Sequence, residues 1–270
     1  WGVVQLDEAL ATHPTLGRLR RAVLHGRLPG DEKDAVMQSF ARGDIDLLLN
    51  DSRPFDPGAV KDTVTMIVID YIDFVVLPDL IGRLQREAPG LSLRIVGPNP
   101  RRLGEIMSKG DVDLALTYFP APPENVRTRP LFDDRMVSIA RKDHPMLAET
   151  VSLEAFCAQS HVAIEPAEGA RMYNELVDDA LRRRGASRRI ALSKPTFLGV
   201  PFLVASTDLV ATLPRLVAER FAHMAPIELF APPIEVQPID IVMMWHDRTH
   251  NNPLHRWLRE LIAEVCQRWR

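Results

Sequence analysis

Apolar positions between residues 60 and 118 switch between two periods. Thr63 to Ile69 is an unbroken apolar and β-branched run, the pattern of a strand buried on both faces of a parallel sheet. Leu77, Leu80, Ile81, Leu84 and Ala88 then recur at helical spacing until Pro89-Gly90 stops them. Leu91, Leu93 and Ile95 alternate with Ser92 and Arg94 as a strand. Leu103, Ile106 and Met107 mark a short helix that ends at Gly110, and Val112, Leu114 and Leu116 alternate again. Strand, helix, strand, helix, strand is a doubly wound order.

After Pro120 to Pro123 the pattern restarts. Met136 to Ala140, His161 to Ile164, Ile190 to Leu192, Leu209 to Ala211 and Ile227 to Leu229 read as strands. Tyr173 to Arg184, Phe197 to Ala205 and Pro214 to Ala222 read as helices. Ile239 to Trp245 is a last buried strand. A helix capped by Asn252, with Pro253 at its first position, closes the chain. The final strand and helix come after the second half is complete, so they are expected to return to the first. The predicted class is α/β, with two Rossmann-like lobes joined by a double crossover hinge. Lobe I takes residues 60–135 plus 237–270 and lobe II residues 136–236. Such a cleft is a recurrent way to close around a small ligand.

The first 49 residues follow a shorter β-α-β pattern. Arg21 to His25 and Ile45 to Leu49 read as strands around a helix that opens at Gly30-Asp31-Glu32 and closes at Gly43, with Val36, Met37 and Phe40 on one face. A fragment this short is below the size at which a lone core is comfortable. Residues 50–59, dense in Pro, Asp and Gly, read as a linker.

Composition narrows the function classes. Of 270 residues, 46% are apolar and 26% charged, which suits a globular chain. The formal net charge of −3 excludes a globally basic nucleic-acid binder. The two cysteines, Cys157 and Cys266, fit no metal spacing or disulfide framework. No apolar run reaches membrane-helix length and no signal peptide is visible. A cytoplasmic protein is expected.

Five stretches, in order, carry a family resemblance: Phe55-Asp56-Pro57 leading to Val68-Ile69-Asp70-Tyr71 and Leu77-Pro78; Gly110 to Leu116; Leu131 to Asp134 with Arg141 to Pro145; Thr207 to Pro214; and Trp245 to Arg248 with Asn252-Pro253 and Trp257 to Arg259. Residues 55–270 resemble the effector-binding domain of LysR-type transcriptional regulators, nearest the NahR and NodD subgroup, whose fold is the type 2 periplasmic-binding-protein fold. The resemblance implies a sensor of a small, aromatic or carboxylate, effector, with no cofactor and no enzymatic activity. It also implies a homodimer that uses the helix bearing Leu77, Leu80, Ile81 and Leu84. DNA contact in that family runs through a winged helix-turn-helix, which residues 1–49 do not show. Those residues are instead similar to a fragment of a RecG-type DNA helicase, through Leu24 to Leu28, Glu32 to Met37, Phe40 and Asp44 to Leu49. No Walker lysine loop occurs, so ATPase activity is not expected. The alternatives are a solute-binding protein for a transporter and a non-functional fusion of the two pieces.

Candidate ligand-binding residues follow from strand ends. Asp70, Tyr71, Ile72 and Asp73 succeed the first buried strand, where open α/β sheets bind ligands; the plainer alternative is that they only cap a helix. Glu165 and Pro166 follow a second-lobe strand, and Thr196 and Phe197 begin a second-lobe helix; against this stands a surface loop and a core aromatic. His246 and Arg248 follow the last strand. His246, His250 and His255 fit no common zinc template, and structural roles suit them better. Asp70 and Asp73 oppose an anionic ligand unless they point away. No GxSxG or GxGxxG occurs, and the acidic pairs Asp133-Asp134 and Asp178-Asp179 are sequence neighbours that diverge on a strand or helix.

Overall fold

The computed structural model describes residues 3–24, 28, 30–50, 55–118, 122–165 and 172–269. The chain divides into two compact units, residues 1–57 with 251–256, and residues 58–250 with 257–270. In the smaller unit, helix α1 (Val3–Ala11) precedes strand β1 (Arg21–Leu24), helix α2 (Gly30–Ala41) and strand β2 (Leu47–Asn50). The two strands pair in parallel from Arg21 opposite Leu47 to Leu24 opposite Asn50. Gly43, in the left-handed region at φ +79°, ends α2 as expected. The expected buried face of that helix does not form: Met37 and Phe40 are exposed, because a two-stranded sheet offers one helix too little surface to cover.

The larger unit contains two five-stranded sheets. The first comprises β3 (Asp62–Val68), β4 (Leu91–Val96), β5 (Leu114–Thr117), β6 (Val126–Asp134) and a late strand, Ile239–His246. Helices α3 (Asp70–Val75), α4 (Leu77–Glu87) and α5 (Leu103–Lys109) connect its early strands. The second comprises β7 (Met136–Arg141), β8 (Ser160–Ile164), β9 (Arg189–Lys194), β10 (Val210–Pro214) and β11 (Ile227–Phe230), with helices α6 (Leu153–Cys157), α7 (Met172–Arg183), α8 (Val200–Ala205) and α9 (Arg215–Ala222). The late strand of the first sheet is therefore β12, and α10 (Pro253–Cys266) follows it.

The orders are β4-β3-β5-β12-β6 and β9-β8-β10-β7-β11. Each is the same pattern: three parallel strands, then one antiparallel strand, then an edge. β12 runs antiparallel to β5, and β7 antiparallel to β10. The chain passes between sheets twice, at Arg135 and over residues 231–238, as the return of the last strand requires. Val64, Met66, Ile67 and Val68 of β3 are buried, which accounts for the unbroken apolar run.

Strand β6 is absent from the hydrophobic pattern. It carries Arg127, Arg129 and Pro130, and its register against β12 shifts beside Pro130. Edge strands tolerate proline and charge, and this one signals by pairing rather than by burial.

The helix expected at a dimer interface faces inward. Leu80 is fully buried, Leu77 and Leu84 nearly so, and only Ile81, at 38% exposure, is open. The apolar stripe of α4 is a core stripe, since its i, i+3, i+7 positions cover the first sheet. Leu77, Leu80 and Leu84 are thus removed from the interface assignment.

Candidate functional site: the aromatic seam between the sheets

Asp70 stands at the start of α3, beyond the carboxyl end of β3. Its Oδ1 accepts from the backbone N–H of Tyr71 (3.0 Å), and its Oδ2 accepts from the backbone N–H of Phe197 (2.5 Å). The second bond joins an element of the first sheet to a turn of the second. Phe197 is free to make it because α8 begins only at Val200, after Gly199 at φ +82°. The helix expected from Phe197 is thus three residues shorter, and the turn it leaves carries the contact. Burial pushes the Asp70 carboxyl up from its ordinary pKa, opposed by these two N–H donors.

Tyr71 is fully buried and donates its hydroxyl to Oδ2 of Asp134 at 2.8 Å. The same oxygen accepts from the N–H of Leu216, in the first turn of α9 (3.1 Å). Asp134 is the last residue before the first crossover, so one buried carboxylate ties α3, the crossover and α9 together. Its Oδ1 has no hydrogen-bond partner among the described residues, and the nearest cation, Arg215 Nε, is 3.7 Å away. Burial pushes this carboxyl up as well. Burial and the neighbouring Asp134 charge push the Tyr71 hydroxyl far up, so it remains a donor.

Aromatic rings fill the rest of the seam. Phe197 meets Tyr71 edge-on at 6.4 Å and Tyr173 at 4.9 Å, and Tyr118 lies 6.5 Å from Tyr173. All three tyrosines of the chain are in this group. The buried Tyr173 hydroxyl has no partner among the described residues, and burial followed by the Asp70 charge pushes its pKa up. On the other side of α3, Arg220 of α9 donates to the carbonyls of Phe74 (2.7 Å) and Val75 (3.0 Å), while Phe221 stacks on Phe74 at 4.7 Å. A guanidinium from one lobe thus caps a helix end of the other.

The structure brings together Asp70, Tyr71, Phe197 and, beneath them, the buried Ile72. Asp73 is exposed in the first turn of α3. Asp70 to Asp73 are inside a short helix of their own rather than a loop ahead of one. Thr196 is half-buried beside Phe197. Glu165 directly follows β8, where its Oε2 accepts from Ser193 Oγ at 2.6 Å and its N–H donates to the Lys194 carbonyl. Pro166 lies outside the described residues.

His246 and Arg248 are placed elsewhere. β12 is antiparallel: Val242 pairs with Thr117 at the cleft end of β5, and His246 pairs with Val126. Four further residues at about 3.3 Å each carry His246 roughly 13 Å away from the cleft edge. The rule that ligands sit at strand carboxyl ends fails for the one strand that runs the other way. Nδ1 of His246 accepts from the Arg248 N–H (3.2 Å). The Arg248 guanidinium braces the α5–β5 loop, donating to the carbonyls of Met107 (2.9 Å) and Val112 (3.2 Å) and to Asp113 Oδ1 (3.0 Å). His250 accepts from the Trp245 indole (3.2 Å) and stacks on it. Among the described residues no three His, Cys, Asp or Glu side chains converge with metal-binding geometry.

Sequence reasoning missed Tyr118, Tyr173, Asp134 and Arg220. The signal present for two of them was the scarcity of tyrosine, since three such residues in 270 converge on one place.

Comparison with known proteins agrees with this architecture. The family profile described as "LysR substrate binding domain" matches residues 57–267. The chain is 34% identical over 210 residues to the HTH-type transcriptional regulator SyrM of Rhizobium meliloti, covering 78% of this chain and 64% of SyrM. It is 30% identical over 211 residues to the HTH-type transcriptional activator NahR of Pseudomonas putida, covering 78% and 69%. It superposes on the regulatory domain of MexT, a transcriptional activator in Pseudomonas aeruginosa, with TM-score 0.67 and 26% identity, covering 75% of this chain and 99% of that one. The chain thus spans under two-thirds of the length of SyrM. These comparisons do not support a helicase origin for residues 1–49, and that reading is dropped. The short β-α-β pattern behind it is common to many α/β proteins and specifies none. From residue 57 onward the profile match, these relatives and the paired-sheet topology agree, and the chain belongs to the LysR substrate-binding-domain family.

Proposed function

We propose that this chain is the effector-sensing part of a LysR-type transcriptional regulator. A small molecule bearing an aromatic ring or a carboxylate binds between the two sheets and shifts their relative disposition by its differential affinity for the two arrangements. The observation that carries this reading is the Asp70–Phe197 hydrogen bond. It joins elements of both sheets and lies beside the Tyr71, Phe197 and Tyr173 rings. Tyr118, Tyr173 and Phe197 supply ring faces and edges for an aromatic body, and the unmatched Tyr173 hydroxyl supplies a donor. The whole regulator is proposed to act in the cytoplasm as a homodimer that reaches DNA through a winged helix-turn-helix, in keeping with the HTH-type naming of its relatives SyrM and NahR. Among the described residues no helix is long and apolar enough to cross a membrane.

The test is a thermal-shift and calorimetric titration with benzoate, salicylate and their neutral amides. A ligand that binds only the folded protein at 100 times its Kd stabilises it by about 2.7 kcal/mol. Saturable stabilisation by one of these, reduced at least about tenfold in affinity by Phe197→Ala, is the expected result. No stabilisation by any of the four, or an unchanged affinity in the variant, overturns the reading.

A further inference from the structure

A second cavity lies away from the aromatic seam, at the lobe II ends of both crossovers. It has a volume of about 330 Å³; Met136, Val137, Leu229, Phe230 and Ala231 form its apolar lining, and Arg135, Arg215 and Glu219 supply its charges. Its position follows from the topology. Arg135 and Met136 are the first residues past the crossover from β6 to β7, and Ala231 is the first past β11 on the way to β12. Because β11 pairs with β7, with Leu229 opposite Ile139 and Phe230 opposite Ser138, the end of the first crossover and the start of the second come side by side. The first turn of α9 contributes Arg215 and Glu219.

The chemistry of the lining is mixed in a specific way. Met136 and Val137 are buried, and Leu229 and Phe230 half-buried, so the floor is apolar. Two guanidinium groups stand over it. Arg215 is committed in part: Nη1 donates to both carboxylate oxygens of Glu219 (2.7 and 2.8 Å), and Nε faces Asp134 Oδ1 at 3.7 Å. Arg135 is exposed, and its side chain has no hydrogen bond or ion pair among the described residues. Glu219 is the acidic group in the lining, and its carboxylate is paired with Arg215. An uncommitted guanidinium above an apolar floor fits one ligand chemistry, a carboxylate on an apolar body.

The geometry points to a second small-molecule site at the hinge, in which the carboxylate of an amphipathic monoacid is held by Arg135, with Arg215 beside it, while its apolar body covers Met136, Val137, Leu229 and Phe230. Asp134, one residue before Arg135, is buried with its Oδ1 3.7 Å from Arg215 Nε and without a hydrogen-bond partner among the described residues. Drawing Arg215 toward a ligand changes the surroundings of the carboxylate that holds Tyr71 and the N–H of Leu216. Occupancy of the hinge site is thereby linked to the seam between the sheets, and linkage makes the effect reciprocal.

The test uses the whole chain and octanoate, with 1-octanol as the uncharged control. Methyl NMR reads the ε-methyl of Met136, identified by its loss in Met136→Leu. Expected are a saturable shift of that resonance with octanoate, affinity weaker by about tenfold or more for Arg135→Gln and for 1-octanol, and loss of the response in Ala231→Trp, which fills the cavity from an exposed position. If the Met136 methyl does not respond to octanoate, if 1-octanol binds equally well, or if neither variant weakens the response, the hinge site is wrong. Because Arg135 and Ala231 line the hinge cavity and take no part in the seam, their effects also separate this site from entry at the seam.

Discussion

Removing one hydroxyl, in Tyr71→Phe, tests the energetic centre of the hinge. The ring stays, and with it the edge contacts to Phe132 and Phe197 at 6.4 Å. What goes is the 2.8 Å bond to Asp134, between two side chains that are essentially inaccessible to water. Asp134 would then keep a single partner, the Leu216 N–H, because Oδ1 has none. A hydrogen bond to a charged group is worth about 1.5–3 kcal/mol, and an abandoned buried acceptor adds its desolvation cost. For a unit of this size each kcal/mol lowers Tm by about 2–4 °C, so the expected loss is about 3–12 °C.

The sign of the pH dependence follows from Asp134. Its folded-state pKa is raised by burial above the unfolded value of about 3.9. The native state therefore binds the proton more tightly, and the contribution of this group to stability falls as pH rises from about 3.9 through the raised value. The Tyr71→Phe deficit is expected to be widest at neutral pH, where the stranded carboxylate is ionised, and to narrow in acid. Thermal and urea unfolding monitored by circular dichroism measure both. In a cycle with Asp134→Leu, where both partners become apolar, the double variant is expected to lose at least about 1 kcal/mol less than the sum of the singles. A Tyr71→Phe variant that melts with the parent, or costs that simply add, would refute the hinge argument.

Two further outcomes follow from particular residues. Gly110 ends α5 at φ +87°, with the Arg248 guanidinium carbon 3.2 Å from where a Cβ would sit; Gly110→Ala is expected to cost about 1–2 kcal/mol or more in urea unfolding with an unchanged slope, and an unaltered midpoint would show that Arg248 does not brace this loop. Burial holds His161 down at about 4, its Nε2 beside the Phe156 carbonyl at 2.9 Å; the unfolded chain binds the proton more readily, so stability falls as pH drops from about 6.5 toward about 4, and His161→Gln is expected to remove this component of the slope. A variant with the parent's full slope would assign the acid sensitivity elsewhere.

Most of the fold was legible because burial writes itself into the hydrophobic period. The run Thr63 to Ile69, the alternation at Leu91 to Ile95 and the helical spacing from Leu77 to Ala88 each reflect a face that must leave water. The late return of Ile239 to Trp245 required two crossovers, and the two sheets have them. Asp70, Tyr71 and Phe197 stood out in the sequence because they sit near element ends, and the structure brings them into contact. Three things were not legible. β6 carries no apolar period, since an edge strand is held by its ladder. The direction of β12 has no local signature, and it placed His246 and Arg248 at the wrong end of the sheet. Whether the stripe Leu77, Leu80 and Leu84 faces a partner or the molecule's own sheet depends on what lies opposite, which periodicity does not encode.

The sequence by itself determined that the chain from about residue 55 is a two-lobed α/β fold, because local periods and turn residues fix element type and order. Only the tertiary structure decided that Tyr71 reaches Asp134, that Phe197 donates to Asp70 and that two crossovers frame a cavity with Arg135. Those partners are 63, 127 and about 95 positions apart, and contacts over such distances are set by strand order and direction, which no local pattern records.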